Sequence, residues 1–363
     1  MMKRFPMAAV LIVLLVALAV PAAALAQAGT PGSQTYTVLV GYENAQKGVD
    51  VMGFFPGSVT IHAGDTVHFV ANSKEIHTVS FGYVENSTLP ELLMPAADLG
   101  YPDQPPAPSP LVINPVAIDK VPMTGASFVP NANSGMMTLQ EGGVQTFDLT
   151  FPNPGDYLYV CLVHGWMMKG WVHVVDANTA VSSPNQAKAA GQKEIAAALA
   201  QVPAVTKDAN QQIQPSTPNS DGTMTHHVWM GYHEGPIDLM QFFPDKLVVR
   251  PGDTVMWEMA ATNDAPHTVT FLNGAAGPED FIPYDVGGKI VLYINPEVLY
   301  PMPFPPTGAP LTRTGIYSSG VMLPVPGTTF QLVIGDMKPG LLQYECLLHD
   351  ESGMTGTLMV VPR

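Results

Sequence analysis

Two cysteines in 363 residues are too few for a disulfide-dense scaffold. Charge is scarce as well. Only 12% of residues are charged, and 15 Lys and Arg face 30 Asp and Glu. A formal net charge of −15 argues against a nucleic-acid binder held by a basic surface. After the first two dozen residues, no apolar run approaches the ~20 residues of a membrane-spanning helix. What is abundant is apolar and turn-forming material. Hydrophobic residues reach 46%, which excludes a disordered chain, and 36 Pro with 33 Gly favour short strands joined by turns. At ~100–200 residues per domain, the length predicts two domains.

The N-terminus has the pattern of an export signal. Lys3 and Arg4 precede an apolar run from Val10 to Val20, and Ala24-Leu25-Ala26 offers a small-x-small cleavage site. Cleavage is expected after Ala26. An uncleaved anchor is the alternative, disfavoured by the short run and the cleavage site behind it. The mature chain is expected to have no membrane span and to be periplasmic, cell-surface or secreted.

The chain then repeats itself. Val40-Gly41-Tyr42, Phe54-Phe55-Pro56, Gly64-Asp65-Thr66-Val67 and His77-Thr78-Val79 are echoed by Met230-Gly231-Tyr232, Phe242-Phe243-Pro244, Gly252-Asp253-Thr254-Val255 and His267-Thr268-Val269. The offset is 190 at Gly41/Gly231 and His77/His267, and 185 at Cys161/Cys346. Solenoid repeats have periods of ~20–50 residues, so this is a duplicated domain with small insertions. Val59 and Ile61, Val67 and Phe69, and Tyr157, Tyr159 and Cys161 alternate at the period of strands. The reading is all-β: a domain over 33–176, a linker over 177–223 and a second domain over 224–363. Within the linker, Ser183-Pro184 caps and starts one surface helix, helix-forming from Ala187 to Gln201 except at Gly191.

Each half carries a lone His in His-Thr-Val upstream and one Cys-His-Met loop. The first has His77 and Cys161-Leu162-Val163-His164-Gly165-Trp166-Met167-Met168-Lys169-Gly170. The second has His267 and Cys346-Leu347-Leu348-His349-Asp350-Glu351-Ser352-Gly353-Met354-Thr355-Gly356. Because the two cysteines share one local setting, one job done twice is favoured over an inter-domain disulfide. Two imidazoles, a thiolate and a weak axial thioether are the donor set of a blue-copper electron-transfer site. His62, His68 and His173 have no counterpart in the other half and read as surface or strand residues. His226, His227 and His233 occur only in the second half and read as exposed strand histidines, with a second type of copper site as the alternative. The 20 Met are scattered, so no Met-rich copper-storage surface is needed.

With these motifs, both halves resemble the plastocyanin/azurin-like cupredoxins, small blue copper proteins. The resemblance implies two tandem Greek-key β-sandwiches and two type 1 copper ions per chain. It implies His77, Cys161, His164 and Met168 as ligands of one copper, and His267, Cys346, His349 and Met354 as ligands of the other. Met168 is preferred because Met-x-Gly then aligns with Met354-x-Gly356; Met167 would match the shorter spacing of amicyanin. The stretches between His77 and Cys161 and between His267 and Cys346 are longer than in small plastocyanins. These Pro-rich inserts, with Asn114-Pro115 and Asn295-Pro296, are expected to cover a site or join the domains.

The resemblance implies an electron carrier, without catalytic residues, that serves a redox partner protein such as a cytochrome or a copper enzyme. Cupredoxin-type oxidases and nitrite reductases need further histidines. This chain has no His-x-His pair, and its cysteines are flanked by Val160/Leu162 and Glu345/Leu347. Copper delivery or storage is the remaining alternative. In the family the loop histidine meets the partner, so His164, beside the apolar Trp166-Met167, and His349, beside Asp350-Glu351, are expected to reach the surface as docking points, facing different partners, or one partner and the other domain.

Overall fold

The computed structural model describes residues 34–102, 111–122, 126–140, 143–263, 265–303, 308–325 and 327–363. The expected signal segment 1–26 lies outside them. The fold is all-β, with two tandem sandwiches. In the first, Thr35–Asn44, Val49–Phe55, Thr66–Ala71 and Thr146–Thr150 form one layer, and Ser58–His62, Gly155–Cys161 and Gly165–Val175 with Ser80–Phe81 form the other. In the second, Met224–Glu234, Ile237–Phe243, Thr254–Met259 and Thr329–Val333 face Lys246–Val249, Gly340–Glu345 and Thr355–Val360 with Thr270–Phe271.

The alternation read from the sequence fills the cores. Val67 and Phe69 are buried with Val59, Ile61 and Tyr159, and Val255 and Trp257 are buried with Val249 and Tyr344. The Gly-Asp turns do the same work in each copy. Gly64 and Gly252 hold φ +94 and +93, which suits glycine. The following Asp65 accepts the backbone N–H of Gln34 and of His62, both at 2.9 Å. Asp253 likewise takes Met224 at 2.9 Å and Arg250 at 2.8 Å.

The sandwiches share a sheet. Val49–Phe55 pairs antiparallel with Ile237–Phe243, its own counterpart in the repeat, through Val51/Ile237, Asp50/Asp238 and Val49/Leu239. Met52 N–H donates to Pro236 O at 2.8 Å and Met240 N–H donates to Gly48 O at 2.9 Å. Equivalent strands pairing antiparallel give the two halves a local two-fold relation, the arrangement of an isologous dimer built into one chain. The inserts join the domains, as one of the two expectations held. Leu111–Ile113 of the first half pairs with Lys289–Ile294 of the second, and Tyr293 Oη donates to Pro102 O at 2.7 Å.

The linker carries more helix than one segment. Pro184–Leu199 starts at Ser183, with Gln186 closing a capping box, and Val202–Gln211 follows as a second helix. Pro203 fits the first turn of that second helix, so the chain can restart there. Neither helix is a free surface decoration. Ile195 and Ala198 pack on Val51 and Phe55, and Val205 and Ala209 pack on Val49, Ile237 and Leu239. Gly191 is required here, since a Cβ would lie 2.6 Å from the Phe55 carbonyl carbon. The helices therefore cover the back of the strand pair that joins the sandwiches.

Candidate metal centres

Each site forms where a strand end meets a loop. In the first, Cys161 ends the strand Gly155–Cys161 and the turn to Gly165–Val175 carries His164, while His77 comes from the segment before Ser80–Phe81. Thr78 fastens the two parts. Its Oγ1 accepts Leu162 N–H at 2.8 Å, and its own N–H points at Cys161 Sγ at 3.4 Å. Thr268 repeats this in the second half, accepting Leu347 N–H at 2.8 Å and donating to Cys346 Sγ at 3.3 Å.

The donor atoms converge. His77 Nδ1 lies 3.1 Å from His164 Nδ1, which lies 3.5 Å from Cys161 Sγ. In the second site His267 Nδ1 lies 3.1 Å from His349 Nδ1, and Cys346 Sγ is 3.8 and 3.3 Å from them. Among the described residues these are the two groups of three or more His, Cys, Asp and Glu whose ligand atoms all lie within 4.8 Å of one another.

The outer nitrogens explain why the inner ones are free to bind. Asn263 Oδ1 accepts His267 Nε2–H at 3.2 Å, and Ser73 Oγ sits 2.9 Å from His77 Nε2. With the proton held on Nε2, Nδ1 presents a lone pair. Two facing lone pairs beside a sulfur repel unless a cation sits among them, so the donor chemistry fits a thiophilic metal such as copper. Gly41 and Gly231 make room for the inner imidazoles. A Cβ there would stand 2.3 Å from His77 Nε2 and 2.4 Å from His267 Nε2.

Burial sets the protonation. It drives His77 and His267 well below the usual histidine range, aided by His164 and His349 respectively. Burial lowers His164 to about 3, with His349 and His233 contributing, and lowers His349 to about 4. The same burial raises the Cys161 thiol and pushes Cys346 up to about 12. Both cysteines are free and buried, not joined in a disulfide.

The methionines separate by burial. Met168 is inaccessible within the cluster that holds Cys161, while Met167 is 37% exposed. Met354 is inaccessible within the cluster that holds Cys346, and its backbone closes the loop through Cys346 N–H to Met354 O at 3.0 Å. The Gly of each Met-x-Gly has a reason to be there. A Cβ on Gly170 would meet the Tyr159 ring at 2.4 Å, and one on Gly356 would meet Tyr344 at 2.2 Å.

Two expectations need correction. His164 and His349 do not reach the surface as docking points, since their side chains are 10% and 6% exposed. Both face Glu75, because the shared sheet turns the two loops toward each other. Glu351 is drawn to Lys74 of the first domain at 3.2 Å, and Trp166 donates to Ser87 O at 2.7 Å. Second, His226 is buried rather than exposed, held by Ser216 at 2.7 Å and Asp253 at 3.2 Å. His227, 3.3 Å from Glu258, and His233, 3.9 Å from Asp238, are half-buried rather than exposed, and among the described residues the three histidines belong to no group of ligand atoms within 4.8 Å. His62 is also buried, against Thr179 O at 2.9 Å.

Some functional positions escaped the sequence reading. Thr78 and Thr268 stood inside the quoted His-Thr-Val repeats and carried a signal. Ser73 and Asn263 lie four residues before their histidines but differ in type, which hides the correspondence. Glu75 has no repeated partner at all: Ala265 stands at its equivalent position.

Residues 41–175 match the family of copper binding proteins, plastocyanin/azurin family. No curated protein matches the chain. Among solved structures, the amicyanin from Paracoccus versutus (Thiobacillus versutus) is similar at 22% identity, over 39% of this chain and 82% of that one, with a TM-score of 0.21. The oxidised plastocyanin from Dryopteris crassirhizoma is similar at 17% identity, over 37% and 99%, with a TM-score of 0.22. A purple cupredoxin from Nitrosopumilus maritimus is similar at 16% identity, over 37% and 98%, with a TM-score of 0.20.

Proposed function

We propose, from the premise that the first domain matches the copper-binding plastocyanin/azurin family, that the chain is an exported blue copper protein carrying electrons through two mononuclear type 1 sites. The reading rests on one observation above all: each half buries two Nδ1 atoms and one cysteine sulfur together within 4.8 Å. His77, Cys161 and His164 would hold one copper, with the buried Met168 thioether as a further, weak ligand. His267, Cys346 and His349 would hold the other, with Met354. Copper bound there supplies a one-electron couple between Cu(II) and Cu(I). The chain's own residues orient the donors and exclude water. Ser73 and Asn263 fix the inner imidazoles, Thr78 and Thr268 lock each cysteine loop to its histidine segment, and the aromatic cores close the sites from below. The lack of His-x-His pairs favours a carrier over an oxidase. Residues 1–26 favour export, and the partner would be another redox protein.

The test is copper analysis with visible and EPR spectroscopy on recombinant protein. Two coppers per chain and an intense thiolate-to-copper band are expected, and Cys161→Ser should remove one colour centre and leave the other. Reconstitution with Cu(II) that yields no such band would overturn the reading. Expression with the full N-terminus should give an exported chain beginning at Gln27.

A further inference from the structure

Glu75 supplies no ligand atom to either group, yet it stands close to both. Its Oε1 lies 3.7 Å from His164 Nε2 in the first domain, and its Oε2 lies 3.6 Å from His349 Nε2 in the second. One carboxylate thus stands between the outward edges of the two loop imidazoles. Its side chain is only 13% exposed, so it is not a solvated surface charge that happens to lie nearby.

The two-fold relation brings both loops within reach of one residue. Pairing of Val49–Phe55 with Ile237–Phe243 sets the two metal loops face to face. Ala265 stands where Glu75 would be repeated, and the space is left to one glutamate. The surroundings hold the loops in place. Lys74 N–H donates to Glu43 Oε2 at 2.9 Å, and Lys74 Nζ meets Glu351 of the other domain at 3.2 Å. Gly353, at φ +86, packs so closely that a Cβ would lie 2.0 Å from Ala45 O.

Each loop imidazole aims Nδ1 inward and Nε2 outward. A carboxylate at Nε2 holds the proton there, keeps Nδ1 as the donor and raises its basicity; losing such a partner typically lowers metal affinity by roughly 10–100-fold. The two contacts are slightly longer than hydrogen bonds. Closing both takes a movement of about 0.5 Å by each imidazole toward the carboxylate that stands between them.

We propose that Glu75 is a positioning residue shared by both metal sites, its single carboxylate orienting His164 of one domain and His349 of the other, so that a first-domain residue sets metal affinity in the second domain. Occupancy of the sites is then coupled. Copper held at one site would draw the Nε2–H of its loop imidazole onto Glu75, and the other imidazole would meet an acceptor whose orientation is already set. By linkage the effect is reciprocal. The inference rests on reading both clusters as metal sites, and its test separates the two.

The experiment uses the full chain and copper alone. Cys161→Ser leaves the second-domain site as the one measured, and Cys346→Ser leaves the first. In each background, Glu75→Ala should weaken copper binding by about 10–100-fold. Glu75→Gln keeps one acceptor oxygen and turns an NH2 toward the other imidazole, so it should spare one site and weaken the other. A second readout needs no metal. In ¹⁵N spectra of the metal-free chain, His164 and His349 should both be Nε2–H tautomers, and Glu75→Ala should mix both. Second-domain affinity within twofold of its parent in Glu75→Ala, with the His349 tautomer unchanged, would overturn the proposal. Failure of both single-site parents to bind copper would instead overturn the copper reading, while the tautomer test of Glu75 would still stand.

Discussion

Asp50 and Asp238 stand directly opposite each other where the two sandwiches pair, and they are 2% and 1% exposed. They occupy equivalent positions in the repeat, so the two-fold relation makes them neighbours. Like charges opposite each other on adjacent strands destabilise the pair. Neither Asp50 oxygen has a hydrogen-bond partner at bonding distance. Burial, then Glu75 and Glu43, raise Asp50 well above the usual carboxylate range, and the nearby Ser352 hydroxyl offsets only part of this.

The first prediction follows from that shift. A carboxyl raised in the folded state contributes stability that is full below its unfolded value of about 3.9 and is lost as pH rises through the folded value. Asp50→Asn removes this loss. Its denaturation midpoint should exceed that of the parent by a margin that widens as pH rises from 5 to 8. Urea melts across that range check it, and a constant margin would mean that Asp50 titrates in the ordinary way.

A second prediction concerns protons released by the metal. All four imidazoles are already neutral at pH 7, because burial holds His164 at about 3, His349 at about 4, and His77 and His267 low as well. Both thiols are raised and still protonated, Cys346 at about 12. Each metal ion should therefore displace one proton, from sulfur, and apparent affinity should rise about tenfold per pH unit near neutrality. Calorimetry in buffers of different ionisation enthalpy counts those protons. Zero or two per ion would contradict the assigned protonation states.

A third prediction tests the space left for the inner imidazoles. Gly41→Ala places a methyl against His77 Nε2 and strains a backbone at φ +71. The chain should lose roughly 1–3 kcal/mol of stability and copper at the first site, with the second site retained. Gly231→Ala should do the reverse. Copper stoichiometry combined with spectra of each variant reads the outcome, and two full sites in Gly41→Ala would show that His77 can move aside.

Much of this protein is legible in its sequence. The His-Thr-Val segments, the Cys-x₂-His loops and the period-two alternation depend on residues close together in the chain or repeated in order, so they identify the strands and the candidate donors without coordinates. Met168 could be preferred over Met167 by alignment of Met-x-Gly, and the structure adds that Met168 is buried and Met167 exposed. What tertiary structure alone decided is how the halves meet. Val49–Phe55 and Ile237–Phe243 look like any buried strands, and no local pattern says that each will take the other as its edge partner. That pairing turns His164 and His349 away from solvent and toward Glu75. It also buries Asp50 against Asp238 and gives Lys74 to Glu351. Flanking charges that read as a docking surface in one dimension become interdomain contacts in three, because edge pairing joins residues almost two hundred positions apart for reasons of backbone hydrogen bonding and not of side-chain type.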